Sequence, residues 1–141
     1  RLGKIDSELL NELNNLKFYR QDFPKSLGIE WVLENVSSKF EKQSTEDLLA
    51  TFTEHSAIQI ANTLNQFKLK NVLITGGGTY HSYLIEKSKT STEIIIPEKT
   101  IIDYKEALIF AFMGVLKMNN ETNVLASSTG SYENHSSGII A

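Results

Sequence analysis

The 141-residue sequence contains no cysteine and only two prolines. Without cysteine there is no disulfide, no thiolate nucleophile and no Cys-based zinc site, and a reducing cytoplasmic setting fits. Histidine is scarce too: three well-separated residues speak against a metal site built from imidazole alone. There is no basic excess. Fourteen Lys and Arg against seventeen Asp and Glu leave a formal charge of −3, so a nucleic-acid partner is not expected. The purely apolar runs are a few residues long, far short of the ~20 that cross a bilayer, and no apolar stretch opens the chain as a secretory signal would. The expectation is a soluble cytoplasmic chain with no membrane partner. With 40% hydrophobic and 22% charged residues, residues 1–141 suit one domain with one core. The first residue is Arg1 and helix-like text follows at once, so the sequence reads as a piece of something longer.

What is present is mostly helical in period. Asp6-Ser7 before Leu9, Leu10, Leu13 and Leu16 gives an N-cap and an apolar stripe, stopped near Gln21 to Pro24 because the residue before a proline leaves the helical region. Ile29, Val32, Leu33, Val36 and Phe40, with Trp31 beside them, form a second stripe. Ser44 and Asp47 have capping-box spacing and open a run over roughly 45–67 that includes Leu48, Leu49, Phe52, Ile60, Leu64 and Phe67. The period then changes. Asn71 to Thr75 and Glu93 to Ile96 are short apolar, β-branched runs of the kind covered on both faces in a parallel sheet, the second closed by Pro97. Tyr80 to Lys87 between them predicts a helix with Tyr83 and Leu84 inward. Asp103 and Glu106 have capping-box spacing, and Ala107 to Val115 behind them is apolar nearly all round, which predicts a central helix ended by Asn119-Asn120. From Glu121 onward the text is Ser-, Asn-, Gly- and Thr-rich with no periodic element, and Ile139-Ile140 is a last apolar patch. The order is α/β with a parallel crossover, yet two strands make a poor sheet, since a stable one needs three or more.

Gly76-Gly77-Gly78 carries the strongest chemical hint. Three glycines after a strand mean positive φ, or a backbone that another group must approach, and a phosphate or ribose is one such group. Tight steric packing of the turn explains them equally well. The dinucleotide fingerprint fails because His81 stands where its last glycine belongs, and no Gly-Lys-Ser or Gly-Lys-Thr exists for a P-loop. Glu106, with Asp103 beside it, either offers a carboxylate to a ligand at the rim of the core or merely completes a capping box. His55 reads as a partly exposed helix residue. Ser127-Ser128-Thr129-Gly130 is a polar turn with hydroxyls available to a ligand.

In their order these segments resemble the C-terminal part of the anhydro-N-acetylmuramic acid kinase family, in the hexokinase and actin ATPase superfamily. Pro24-Lys25-Ser26-Leu27-Gly28-Ile29-Glu30 is similar to a family Pro-Lys-Ser-Thr-Gly-Arg-Glu stretch, and Thr53-Glu54-His55-Ser56-Ala57 to a Thr-Glu-Xaa-Thr-Ala element. Gly76-Gly77-Gly78 followed by Thr79-Tyr80-His81 resembles Gly-Gly-Gly-Ala-His-Asn. Asp103, Glu106, Ala107, Phe110 and Ala111 resemble a Glu-Ala-Xaa-Ala-Phe-Ala helix, and Asn123 with Thr129-Gly130 resembles Asn-Xaa-Pro and Thr-Gly-Ala, although the proline is replaced. The resemblance implies a truncated ribonuclease H-like, actin-ATPase-type domain, helix-rich, with at least two parallel strands. It further implies an ATP-dependent kinase of cell-wall recycling that opens the 1,6-anhydro ring and phosphorylates O6. Carried over, Gly76, Gly77 and Gly78 face the nucleotide, and Glu106, Thr129 and Gly130 serve the amino sugar, with Lys25 and Ser26 as weaker candidates. ATP and Mg²⁺ are the implied cofactors. The Mg²⁺ ligands and the general base are expected outside this text, because it has no Asp-Gly-Xaa-Asp and no Gly-Pro-Gly-Asn segment. The chain then reads as about the last third of an enzyme, inactive alone. The competing expectation is a non-catalytic α/β module that self-associates, as a homodimer, through its sheet edge and apolar faces.

Overall fold

The computed structural model describes residues 3–22, 25–40 and 43–139. The polypeptide divides into two units, Arg1–Ile96 and Pro97–Ala141, and is a helix-rich α/β structure with, among the described residues, one pair of parallel strands.

In the first unit, Asp6 opens helix α1 (Ser7–Asn14). Its carboxylate accepts from the N–H groups of Glu8 and Leu9, both at 3.0 Å, which satisfies donors that have no partner inside the helix. The helix ends at Asn15, earlier than the expected stop near Pro24, which lies outside the described residues. The chain continues as a 3₁₀ turn over Lys17–Arg20. Helix α2 (Ile29–Asn35) and a second 3₁₀ turn, Ser37–Phe40, follow. Their apolar stripe is only partly used, since Val36 is buried while Ile29 and Leu33 stay exposed. Leu9, Leu13 and Val36 form the core with Leu16, Trp31, Val32, Phe40, Leu48 and Phe52 packed around them.

Helix α3 (Thr45–Gln66) is the spine of this unit and packs against both α1 and a later helix, α4 (Ser82–Lys87). Ser44 caps it by accepting from the Asp47 N–H at 3.2 Å. The Asp47 carboxylate, however, accepts from the Lys4 N–H at 2.6 Å. Thr51, His55 and Gln59, one turn apart, bond to Asp6, Asn14 or Tyr19. On another side of the helix, Ala50 and Ala57 are buried on either side of Glu54, which bonds to Tyr83 and Lys87 of α4. Small side chains there let the two helices approach.

Strand β1 (Asn71–Leu73) pairs in parallel with β2 (Glu93–Ile95), Val72 opposite Ile94. The ladder is extended by Glu93 N–H to Lys70 O at 2.9 Å and Ile74 N–H to Ile95 O at 3.0 Å. Val72 and Ile94 are half-buried, but Leu73, Ile95 and Ile96 are exposed. The strands are therefore not covered on both faces as their apolar text suggests, because the described residues supply a layer to one face alone.

In the second unit, helix α5 (Lys99–Met118) begins at Glu98, with no break between Pro97 and Asp103. This corrects the expected capping box: Asp103 sits in the second turn and pairs with Lys99, and Glu106 lies mid-helix. Nor is α5 a buried central helix. Phe110 is 67% exposed and Met118 72%, because among the described residues of this unit the long helix and its irregular tail supply no second layer. Asn119 and Asn120, the latter at φ 59°, end it as expected. The tail has more structure than its composition suggests. Asn123 Nδ2 donates to Met113 O and Ser137 O, both at 3.1 Å, its Oδ1 accepts from the Ser137 N–H at 2.8 Å, and Val124 bridges His135. A short helix, α6 (Ala126–Thr129), lies inside this loop. Ile139 is exposed and Ile140 lies outside the described residues.

Candidate functional site

The glycine triplet follows directly from the parallel ladder. Gly76 has φ +88° and ψ 174°, a region that side-chain-bearing residues avoid. Gly77–Tyr80 then forms a 3₁₀ turn, closed by Thr79 N–H to Gly76 O at 3.0 Å and His81 N–H to Gly78 O at 3.1 Å. The amides of Gly77 and Gly78 open the turn and have no acceptor among the described residues. A Cβ added at Gly76, Gly77 or Gly78 would meet nothing within 4 Å. Gly77 and Gly78 also lack positive φ. Neither steric packing nor strain requires glycine at these two positions, and the turn presents bare main chain to open space.

Behind the turn, Thr79 is buried and its hydroxyl has no partner among the described residues. His81 caps α4: its Nδ1 accepts from the Leu84 N–H at 3.1 Å, so Nδ1 carries no proton and Nε2 does. The His81 ring also lines a mostly apolar cleft of about 410 Å³ with Glu46, Leu49, Ala50, Thr53 and Tyr83. Glu54 anchors the far wall by accepting from Tyr83 at 3.4 Å and pairing with Lys87 at 3.3 Å. The Glu54 hydrogen bond and charge hold the Lys87 ammonium above its ordinary pKa.

Glu106, Thr129 and Gly130 belong to the second unit. Glu106 is exposed on α5. The Thr129 hydroxyl donates to Leu125 O at 3.0 Å and lies 3.1 Å from Ser131 Oγ, while Gly130, at φ 73°, caps α6 with its N–H on Ala126 O at 2.8 Å. These two residues therefore shape a turn. No hydrogen bond or ion pair joins either of them to Glu106 among the described residues. Of the weaker candidates, Lys25 Nζ donates to Phe18 O at 3.2 Å and Gln21 O at 3.3 Å and stands 5.0 Å over the Phe18 ring. Ser26 is exposed.

His55 is not the partly exposed residue its sequence context suggests: it is 4% exposed. Its Nδ1 lies 2.7 Å from Asn14 Oδ1, which also accepts from Gln59 Nε2 at 2.8 Å, so Nδ1–H donates and Nε2 accepts from the Tyr19 hydroxyl at 2.8 Å. Burial pushes the imidazolium pKa down and the Tyr19 phenol pKa up. The signal was present in the text, as Thr51, His55 and Gln59 recur every fourth residue.

The turn suits a ligand that accepts hydrogen bonds and needs close main-chain approach, as a nucleotide does. Among the described residues no three His, Asp or Glu side chains converge on one point, so no metal step is derived from them. Among the described residues no helix is long and apolar enough to cross a membrane.

A model of the anhydro-N-acetylmuramic acid kinase family matches residues 1–141. The chain belongs to that family. Its relatives include the anhydro-N-acetylmuramic acid kinase of the gamma-proteobacterium EBAC31A08, 31% identical over 134 residues that cover 90% of this chain and 37% of that protein. The kinase so named in Clostridioides difficile (strain 630) is 32% identical over 145 residues, covering 91% of this chain and 37% of its own. That of Haemophilus influenzae (strain ATCC 51907 / DSM 11121 / KW20 / Rd) is 30% identical over 164 residues, covering 98% and 42%. The chain thus spans about two fifths of the length of the curated relatives it matches.

Proposed function

We propose that this chain is the C-terminal nucleotide- and substrate-binding part of an ATP-dependent sugar kinase that opens 1,6-anhydro-N-acetylmuramic acid and phosphorylates O6 in cell-wall recycling. Its fold is a truncated ribonuclease H-like, actin-ATPase-type domain of a cytoplasmic enzyme. The observation that carries this reading is the open glycine turn after a parallel strand, in a chain whose whole length matches the kinase family. The amides of Gly77 and Gly78 donate to nucleotide oxygens, and the absence of side chains at 76–78 lets the ligand lie on the backbone. Bound Mg-ATP supplies the phosphoryl group, with the Mg²⁺ ligands in other segments of a kinase of family length. Glu106 accepts from the amino sugar, and Thr129 and Gly130 hold the loop beside it. The isolated chain has no turnover.

The test is a kinase of full family length that carries this segment, given Mg-ATP and the anhydro sugar. A 6-phosphosugar detected by ³¹P NMR is the expected product, and its absence overturns the reading. Chain 1–141 alone, under the same conditions, is expected to give none.

A second reading has its own observation. Tyr104, Leu108, Phe110, Phe112 and Met118 of α5 are exposed, and an apolar surface of this kind favours association. A self-associating module without kinase activity would sediment as a dimer and leave ADP unbound at every concentration.

A further inference from the structure

We propose that the buried hydroxyl of Thr79 is a nucleotide-binding group, held without a partner until the ligand draws the glycine turn out of its present conformation. The assignment rests on the nucleotide role given to that turn in the proposed kinase, and adds to it one residue and one movement. Thr79 is 6% exposed, and its Oγ1 has no hydrogen-bond partner among the described residues. The other buried threonines of the first unit are satisfied. Thr51 Oγ1 accepts from the Asp6 N–H at 2.9 Å and donates to Asp47 O at 2.7 Å, and Thr92 Oγ1 donates to Leu69 O at 2.9 Å. A hydroxyl buried without a bond costs stability, and a valine of nearly the same shape would avoid that cost. The stretch that this turn resembles, Gly-Gly-Gly-Ala-His-Asn, carries alanine where Thr79 stands, so the hydroxyl is no part of that pattern.

The hydroxyl stands one residue beyond the Gly77 and Gly78 amides that lack acceptors among the described residues, and the Thr79 N–H itself closes the turn on Gly76 O at 3.0 Å. Its oxygen is too enclosed to touch a ligand where it lies, so contact requires the turn to shift. The glycines permit this. A Cβ at Gly76, Gly77 or Gly78 would meet nothing within 4 Å, and glycine takes φ of either sign at little steric cost. Freedom to move therefore accounts for glycine at 77 and 78, where the present φ does not demand it. A ligand shifts a conformation only by as much as it interacts better with one state than with the other. Thr79 supplies such a difference, because its hydroxyl is stranded in the unliganded turn and bonds to a nucleotide oxygen in the liganded one. That oxygen belongs to a ribose hydroxyl or to a phosphate.

The experiment compares Thr79→Val and Thr79→Ser in chain 1–141 and in a kinase of full family length that carries this segment. In the chain, Thr79→Val is expected to raise the melting temperature by at least about 4 °C, because it removes a stranded hydroxyl and keeps the shape. In the kinase the same substitution is expected to raise the KM for ATP about tenfold, chiefly in KM and not in kcat. Thr79→Ser keeps the oxygen and should restore the natural KM. Inhibition constants for adenosine and ADP locate the partner: a loss shared by both places it on the ribose, and a loss confined to ADP places it on a phosphate. A purely structural threonine would move neither constant. Gly77→Val, measured alongside, separates the two claims. A raised KM in Gly77→Val with a natural KM in Thr79→Val overturns the role of Thr79 alone, whereas a natural KM in both overturns the nucleotide role of the turn as well. A melting temperature that fails to rise in Thr79→Val also overturns the proposal.

Discussion

Burial of His55 makes the first unit sensitive to acid in a way that can be worked out. Neutral imidazole bridges α1 and the Lys17–Arg20 turn to α3 through Asn14 and Tyr19. Among the described residues no carboxylate bonds to the ring, and the groups that face it there are Asn14, Tyr19, Phe52 and, through Asn14, Gln59. Burial lowers its folded pKa below the unfolded value near 6.5. The unfolded chain therefore binds a proton first as pH falls. Stability is fully present above about pH 6.5 and declines below it, by about 1.4 kcal/mol for each pH unit, until the lower folded pKa is reached. For a unit of this size each kcal/mol is roughly 4–8 °C in melting temperature. Melting curves from pH 7.5 to 4.5 should show this slope in the natural sequence. His55→Phe keeps the ring volume and removes the titration; it should flatten the profile at a cost of about 1–2 kcal/mol at pH 7 for the two lost hydrogen bonds. A slope that persists in His55→Phe, or a natural chain with no slope between pH 6.5 and 5, refutes the argument.

Other expectations follow from the same packing. Leu13, fully buried in the α1–α2–α3 core, should lose about 2–5 kcal/mol as Leu13→Ala, read by urea denaturation. Thr51 has no exposed surface; its hydroxyl accepts from the Asp6 N–H at 2.9 Å and donates to Asp47 O at 2.7 Å. Thr51→Val, nearly equal in shape, should therefore cost about 1–3 kcal/mol by stranding the Asp6 amide, again by denaturation. Phe110→Ser on exposed α5 should leave the unfolding free energy within about 0.5 kcal/mol of the natural value while reducing any concentration-dependent sedimentation.

Local signals were the most readable part of this sequence. Asp6 and Ser44 cap helices because short oxygen-bearing side chains reach the free N–H groups, and that needs no tertiary information. The 45–67 helix, the two short strands and the turn after Thr75 were legible for the same reason. Tertiary competition decided the rest. Asp103 and Glu106 had the spacing of a cap, but nothing from Glu98 to Ile102 stops a helix, so α5 starts a turn earlier. His55 looked like surface text until Asn14 and Tyr19, 41 and 36 residues away, closed over it. The apolar text of α5 gave its helical state but not its exposure, because burial depends on layers that the helix does not itself encode. Asn123 and the Val124–His135 bridge were invisible to periodicity, since a tail held by one amide side chain has none. At the glycine turn the text left packing and ligand approach equally open, and the empty space around Gly77 and Gly78 favours approach.

The most direct measurement is the KM for ATP of Gly77→Val in a kinase of full family length that carries this segment. Gly77 has no positive φ and a Cβ there meets nothing within 4 Å, so the fold should survive with an unchanged melting temperature while the side chain occupies the space a nucleotide needs. A rise of at least about tenfold in KM, or a matching fall in kcat/KM, is the expected result. An enzyme that keeps its natural KM and kcat with valine at this position contradicts the account.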